Sequence, residues 1–122
     1  VTVSPEWTEI DTGRTGAIKY RTERFNYDGN EKVIFVDGDN APVVFNTSFS
    51  ATDVTTTAVV GSKFVASFKS HMFYAGKSTT PEELIFSVPF DEDDFTSASG
   101  AGSIRVDDTI TGIKVFRDTL FV

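Results

Sequence analysis

Apolar residues in this chain occur in short runs separated by segments rich in Gly, Pro, Asp, Asn, Ser and Thr. Between Ala17 and Tyr27, apolar and charged side chains alternate, which is the period-two pattern of a half-exposed strand. Lys32–Val36 is apolar on both parities, which predicts a more buried strand. A helical stripe of period 3.6 is absent, and the longest helical candidate, Pro81–Leu84, is one turn at best. The pattern predicts an all-β chain.

Further strands are predicted wherever an apolar run is bounded by turn residues. They are Val43–Asn46, Ala58–Val60, Phe64–Phe68, His71–Ala75, Leu84–Val88, Ser103–Val106, Ile110–Phe116 and Thr119–Val122. Asp28-Gly29 reads as a hairpin turn, since Gly accepts a positive φ. The polar segment Asn46–Thr57 is predicted to be a loop tethered by Phe49, and Trp7 and Ile10 are the predicted anchors of the first residues.

The apolar runs form an internal repeat. Phe116–Val122 matches Phe68–Tyr74 position for position, as an aromatic residue, a cation, two polar residues and three apolar ones. A spacing of 48 residues separates Phe68 from Phe116. A weaker match aligns Phe35 with Phe73, 38 residues later, and both copies continue through a Pro into another apolar run.

Strand-rich repeats of roughly 40–50 residues are typical of β-propeller blades, whose neighbours cover both faces of each four-stranded sheet. We therefore predict a β-propeller segment of two to two and a half blades over residues 17–122, preceded by a loop or linker over residues 1–16. A β-sandwich or barrel is the alternative, because short strands and frequent turns fit those folds too. Two and a half blades do not close a ring, so we expect a fragment of a longer protein, or one completed by other subunits.

The composition of the chain argues against several classes of function. The chain has 122 residues, a formal net charge of −7 and a pI near 4.5, which argues against nucleic-acid phosphate or an anionic membrane as the main partner. With no cysteine there is no disulfide, thiol nucleophile or thiolate metal site. No run approaches the ~18 apolar residues of a membrane helix, and Val1–Trp7 does not resemble a signal peptide.

Candidate catalytic chemistry is sparse. His71 is the only histidine and no Gly-x-Ser-x-Gly elbow accompanies it, so we expect a strand-edge histidine that packs locally rather than part of a hydrolase triad. One His without Cys does not supply the usual zinc ligands. The loop Ser99–Ser103 precedes a strand and reads as flexible rather than as a phosphate cradle. We assign no catalytic, cofactor-binding or metal-ligating residue and no cofactor.

Two acidic loops, 37–40 and 91–94, carry oxygen ligands that could hold Ca²⁺, but neither has the EF-hand pattern. We expect turns in which Asp and Asn side chains accept bonds from backbone N–H groups. The sequon at Asn46 matters only in a secreted protein. Aromatic residues could form a sugar-stacking surface, although aromatic residues at strand parity favour core packing; they are Trp7, Tyr20, Tyr27 and Tyr74.

Several of these segments resemble a known family. They are Phe25–Gly29, Val36–Pro42, His71–Gly76, Pro81–Ser87, Pro89–Phe95, Gly102–Ile113 and Phe116–Val122. Together they resemble tailed-bacteriophage virion structural proteins with a β-propeller, of the nozzle or tail tubular protein B type of short-tailed phages. The likeness lies in the order of strands and turns within the blades, and it covers most of residues 17–122. Proteins of this family are several times longer, so this chain resembles a fragment of about two blades.

The resemblance implies a non-enzymatic part of the virion tail, made in the host cytoplasm, which builds the tail conduit for DNA ejection. Its implied partners are other tail subunits and copies of itself, without specific nucleic-acid or membrane binding. The acidic balance would suit a conduit through which DNA slides, since like charges repel. A carbohydrate-binding β-module for cell-surface recognition is the alternative, and a small hydrolase relying on His71 comes third.

Overall fold

The computed structural model describes residues 6–16 and 19–122 of an all-β chain. Its strands are β1 (Arg21–Phe25), β2 (Lys32–Val36), β3 (Val43–Asn46), β4 (Ala51–Asp53), β5 (Phe64–Phe68), β6 (His71–Ala75), β7 (Glu83–Phe86), β8 (Gly102–Arg105), β9 (Lys114–Phe116) and β10 (Thr119–Phe121). The one helical element in these residues is a single 3-10 turn, Ser97–Ser99. The predicted all-β class is confirmed.

The strands form three antiparallel units in chain order. Strands β1 to β4 make one four-stranded sheet, here sheet A, and β5 to β8 make a second, here sheet B. Strands β9 and β10 form a two-stranded hairpin. Each strand pairs with its sequence neighbour, so both sheets are simple meanders, and the described residues form no closed barrel.

Sheets A and B pack face to face through one hydrophobic core. Ile34 and Val36 enter it from sheet A, and Met72 and Tyr74 enter it from sheet B. A polar contact also crosses this interface, where Lys32 Nζ lies 3.1 Å from Glu92 Oε1 in the loop after β7. The burial of these side chains is the main force that holds the two sheets together.

A second, smaller core lies on the other face of sheet B. Ala75 and Leu84 pack there with Ile110, and Leu120 of the β9–β10 hairpin covers them. The chain is therefore a stack in the order sheet A, sheet B, hairpin. Cα atoms of β1 come within 8 Å of β5, and those of β5 within 8 Å of β9, whereas β4 makes no comparable approach to β8.

The 48-residue repeat is confirmed in atomic detail. The turns Lys69-Ser70 and Arg117-Asp118 both hold two consecutive non-glycine residues at positive φ, as a type I′ hairpin requires. In both, the cation of the turn lies over the preceding aromatic ring, at 5.2 Å from the Phe68 centroid and 5.3 Å from that of Phe116. The two hairpins are copies of one unit.

The weaker repeat was aligned one residue off. Strand pairing places Lys32 opposite Phe25 and His71 opposite Phe68, so Phe35 corresponds to Tyr74, 39 residues later, and not to Phe73. Because successive strand residues point to opposite faces, a slip of one residue exchanges the faces. With the corrected alignment, equivalent side chains point the same way along the stack.

Three predicted segments differ from the structure. Strand β4 lies inside the segment predicted to be a polar loop, because an edge strand of a sheet needs no apolar alternation. Ala58–Val60 is a turn in which the N–H groups of Val59 and Val60 bond the Thr56 carbonyl. Val59 is buried without any strand pairing, so an apolar run here marks burial alone. The strand predicted from Ile110 begins only at Lys114.

The first residues are held only partly as predicted, because Ile10 lies beside sheet A but Trp7 does not. Trp7 is 93% exposed, and Phe49 is 75% exposed, so neither is an anchor. Arg14 holds the segment instead, through Asp11, Asp53 and the Ala41 carbonyl. Residues 6–16 contain no strand or helix, and the parts of our predictions that concern residues 1–5 and 17–18 lie outside the described residues.

Candidate docking surface

A broad open apolar surface of the described chain is the face of sheet A that points away from sheet B. It forms a depression of about 650 Å³, here called the sheet A depression. The apolar side chains that line it include Ile10, Tyr20, Val33, Phe35, Val43 and Phe45, with Phe49 beside them. A sheet face of this kind is normally covered, because exposed apolar patches mark interaction sites.

The aromatic rings of the depression are ordered by contact with one another. Phe35 lies edge-on to Phe45, with 5.1 Å between ring centroids and 78° between ring planes. Tyr20 meets Phe35 in the same manner at 6.3 Å and 74°. Such edge-to-face pairs are favourable beyond the area they bury, so the surface is preorganised before anything binds to it.

Polar groups occupy only the rim of the depression. Arg24 and Glu31 form an exposed ion pair there, across the first hairpin. Exposed pairs of this kind contribute about 0–1 kcal/mol, so both side chains can exchange partners at little cost. The rim can therefore accept charges of either sign.

A second exposed apolar surface lies on the β9–β10 hairpin. Leu120 packs against sheet B, and residues of opposite parity point away from it. Phe116 and Phe121 are on that outer face, with 60% and 54% of their surfaces exposed. The two ends of the stack thus both present aromatic surface.

His71 packs locally, as predicted. Its Nδ1 lies 2.6 Å from the carbonyl oxygen of Ser87, so this nitrogen carries the proton and donates it. The ring lies edge-on to Phe73 and Phe86, at 6.2 and 5.6 Å between centroids. The contacts are those of a packed side chain.

Ser87 adds side-chain bonds to the backbone bond that its N–H donates to the Met72 carbonyl at 3.0 Å. Its buried hydroxyl accepts a bond from the Met72 N–H at 3.0 Å and donates one to the Val88 carbonyl at 2.9 Å. Alanine at this position would leave the buried Met72 N–H without a partner.

Ser87→Ala should therefore lower the free energy of unfolding by about 1–3 kcal/mol. Ser62→Ala is the matched control, because buried Ser62 only donates, to the Val59 carbonyl at 2.6 Å, and its loss leaves no N–H unpaired. Urea unfolding of both variants gives the comparison. Equal losses in the two variants would show that the Ser87–Met72 bond is not special.

The acidic loop 91–94 forms the predicted Asx turns. Asp91 Oδ1 accepts from the Asp93 N–H at 2.9 Å, and Asp94 Oδ1 accepts from the Thr96 N–H at 2.8 Å. Bonds from Thr96 lower the pKa of Asp94, whereas burial and then the neighbouring carboxylates raise the pKa of Asp93. In residues 6–16 and 19–122, no three His, Asp or Glu side chains are arranged to hold a metal ion.

The loop 37–40 is built in the same way. Asp37 Oδ1 accepts from the N–H groups of Asp39 and Asn40, at 2.9 and 2.8 Å. Burial opposes ionisation of Asp37, but the bonds from Asn40 outweigh it, so the net pKa is lowered. Asn40 in turn binds the backbone of Thr15, which places residues 6–16 beside sheet A.

The predicted sugar-stacking residues do not form one surface. Tyr74 is buried, and its hydroxyl donates to the Glu92 carbonyl at 2.7 Å. Tyr27 is partly buried, and its hydroxyl lies 2.7 Å from Ser67 Oγ, across the interface of the two sheets. Tyr20 lies in the sheet A depression, which Trp7 does not line.

Burial raises the pKa of Tyr27 to about 12, and it raises the pKa of Tyr74 as well. Tyrosine in an unfolded chain ionises near pH ~10, so the folded state holds these protons to higher pH. The stabilisation is complete below pH ~10 and is lost as pH rises towards the folded values.

The free energy of unfolding should therefore fall as pH rises from 10 to 12. Tyr27→Phe should reduce the steepness of that fall, and Tyr20→Phe, at an exposed ring, is the control. Denaturant titrations at several pH values measure the slope. A stability that is flat over this range, or an unchanged slope in Tyr27→Phe, would contradict the assignment.

The chain matches no family model, no curated protein and no solved structure. In the described ranges, no helix is long and apolar enough to cross a membrane. The inference of function therefore rests on the surfaces of the chain itself. The sequence does not predict the sheet A depression, although Lys32–Val36 is apolar on both parities.

Proposed function

We propose that this chain is a non-enzymatic structural segment of a tailed-phage virion protein. In this proposal it comprises two blades and the start of a third of a β-propeller, and it helps to build the tail conduit through contacts with neighbouring subunits. The observation that carries the proposal is the repeated unit, which stacks face to face in one direction and leaves an apolar surface at each end.

The arrangement of the first strands supports propeller geometry. In a propeller the first strand of each blade lies near the central axis and the outer strands diverge. Here β1, β5 and β9 lie side by side, while the fourth strands of the two sheets do not approach each other. Side chains also bridge the first strands, since Glu23 Oε1 accepts from the Ser67 N–H at 3.2 Å.

The character of the main open surface supports a structural role. The sheet A depression is broad and lined by apolar side chains, with polar groups at its rim. Substrate sites instead place a few convergent polar groups among their apolar side chains. A broad apolar sheet face is better suited to a protein contact.

The first strands argue against the acidic lining that we expected from the net charge. They carry Arg21, Arg24 and Lys114 against a single acid, Glu23. The many acidic residues lie mainly in loops, such as 91–94. The proposal therefore does not include repulsion of DNA by this segment.

Immuno-electron microscopy tests the virion assignment. Antibodies raised against the purified chain should label the tails of phage particles whose genome encodes it, and should leave the heads unlabelled. Labelling of heads alone, or of no virion component, would overturn the proposal. A glycan array tests the carbohydrate-binding alternative, which the burial of Tyr74 and the packing of Tyr27 make less favourable.

A further inference from the structure

We propose that the sheet A depression receives the β9–β10 hairpin of a second copy of this chain, so that copies associate head to tail. The inference rests on the proposed structural role and names the partner and both contact surfaces. The repeated unit shows what covers the equivalent surface elsewhere in the same chain.

The interface between sheets A and B is the template. The face of sheet B that carries Met72 and Tyr74 is the counterpart of the face of sheet A that carries Val33 and Phe35, by strand pairing. On sheet B this face is covered by sheet A, and Met72 and Tyr74 are fully buried. On sheet A the same face is open. A surface like the covering face of sheet A is therefore what fits the depression.

The covering surface has the same make-up in all three units. A Phe ends each first strand and pairs with the first residue of the second strand, and these are Phe25, Phe68 and Phe116. The partner is the first residue of the second strand in each unit. Two positions after it, the second strands of the three units carry Ile34, Phe73 and Phe121, respectively. Phe25 and Ile34 are 5% and 0% exposed under sheet B. Phe116 and Phe121, their counterparts, are the exposed pair.

Charges at the edge of this contact are complementary. In the template, the hydroxyl of Tyr27, two residues after Phe25, meets Ser67 Oγ at 2.7 Å. Strand pairing gives Arg24 the position in sheet A that Ser67 has in sheet B. Asp118 lies in the turn that directly follows Phe116, the counterpart of Phe25. Head-to-tail docking thus brings the Arg117-Asp118 turn to the Arg24–Glu31 pair on the rim of the depression, where each charge can meet one of opposite sign.

Head-to-tail association also covers both apolar ends at once. A two-fold dimer through the sheet A depression alone would leave Phe116 and Phe121 exposed in both copies. Head-to-tail contacts are heterologous, and they close into a ring or continue as a filament according to the rotation between copies. Propeller-like stacking about a common axis favours closure.

Light scattering of the whole chain across a range of concentrations gives the first test. The wild-type chain should form species larger than a dimer, while Phe35→Asp and Phe121→Asp should each be monomeric. Phe90→Asp, at an exposed ring outside both surfaces, is the control and should behave as wild type. A monomeric wild-type chain would overturn the inference.

Mixing the two variants gives the sharper result. Phe35→Asp keeps an intact hairpin and Phe121→Asp keeps an intact depression, so an equimolar mixture should form a capped dimer of twice the monomer mass. If Phe121→Asp alone forms a dimer and Phe35→Asp does not, the contact is a two-fold face-to-face dimer and the inference is wrong.

Cross-linking decides the case even if an Asp variant fails to fold. The chain has no cysteine, so Arg24→Cys and Asp118→Cys each add one exposed thiol. A short bis-maleimide should link the two variants when they are mixed, and Arg24→Cys should not link to itself. No mixed product would overturn the inference. Tail labelling in immuno-electron microscopy is independent of this result, so loss of the head-to-tail contact and loss of the virion assignment are distinguishable.

Discussion

Ile34→Ala should lower the free energy of unfolding by about 2–5 kcal/mol, the usual cost of such a truncation in a packed core. Ile34 is fully buried between sheets A and B, and its removal leaves a cavity against Met72 and Tyr74. Chemical denaturation at low protein concentration, where association does not contribute, measures the loss.

The matched control for Ile34 is its neighbour. Phe35→Ala removes a larger side chain from the same strand, but from the face that lines the open depression. It should cost clearly less than Ile34→Ala in the isolated chain. If Phe35→Ala costs as much or more, the assignment of covered and open faces is wrong.

Gly76→Ala should lower the free energy of unfolding by about 3 kcal/mol or more. Gly76 has φ +79°, which costs an L-residue roughly 1–2 kcal/mol. An added Cβ would also lie 2.6 Å from Cδ2 of Phe64 and 3.0 Å from Cβ of Lys63. Both neighbours lie at the start of sheet B, so relieving the clash requires the Phe64 ring and Lys63 to shift.

Gly29→Ala separates the two contributions. Gly29 has a similar φ of +86° but nothing within 4 Å of an added Cβ. It should lose only the conformational part, about 1–2 kcal/mol. Thermal unfolding of both variants gives the difference, and equal losses would show that Phe64 does not crowd Gly76.

Strand positions were predictable where an apolar run is bounded by strong turn residues. Strands β2, β3, β5 and β6 have the predicted bounds. Their runs are rich in Val and Phe and are flanked by Gly, Pro or polar turns, so local preference and tertiary packing agree. Strand β4 was missed because its polar side chains carry no such pattern, and its existence depends on pairing with β3.

The faces of the strands could not be predicted from one strand at a time. Which residue of β2 corresponds to which residue of β6 depends on how each strand pairs with its neighbours. The sequence of β2 alone does not show this pairing. For the same reason the sheet A depression was not foreseen. An apolar run such as Val33–Val36 shows that both faces are apolar, but only the stack shows which face is covered.

The central claim is that the units fan out from adjacent first strands, as blades do, instead of lying parallel as in a sandwich. Spin-label distances measure this most directly, because the chain has no cysteine of its own. One variant would carry labels at Thr22 and Lys63, near the first strands, and another at Thr52 and Ser103, on β4 and β8. The account predicts a clearly longer distance for the outer pair. Similar distances for both pairs, near the ~10 Å of stacked parallel sheets plus the length of the labels, would contradict it.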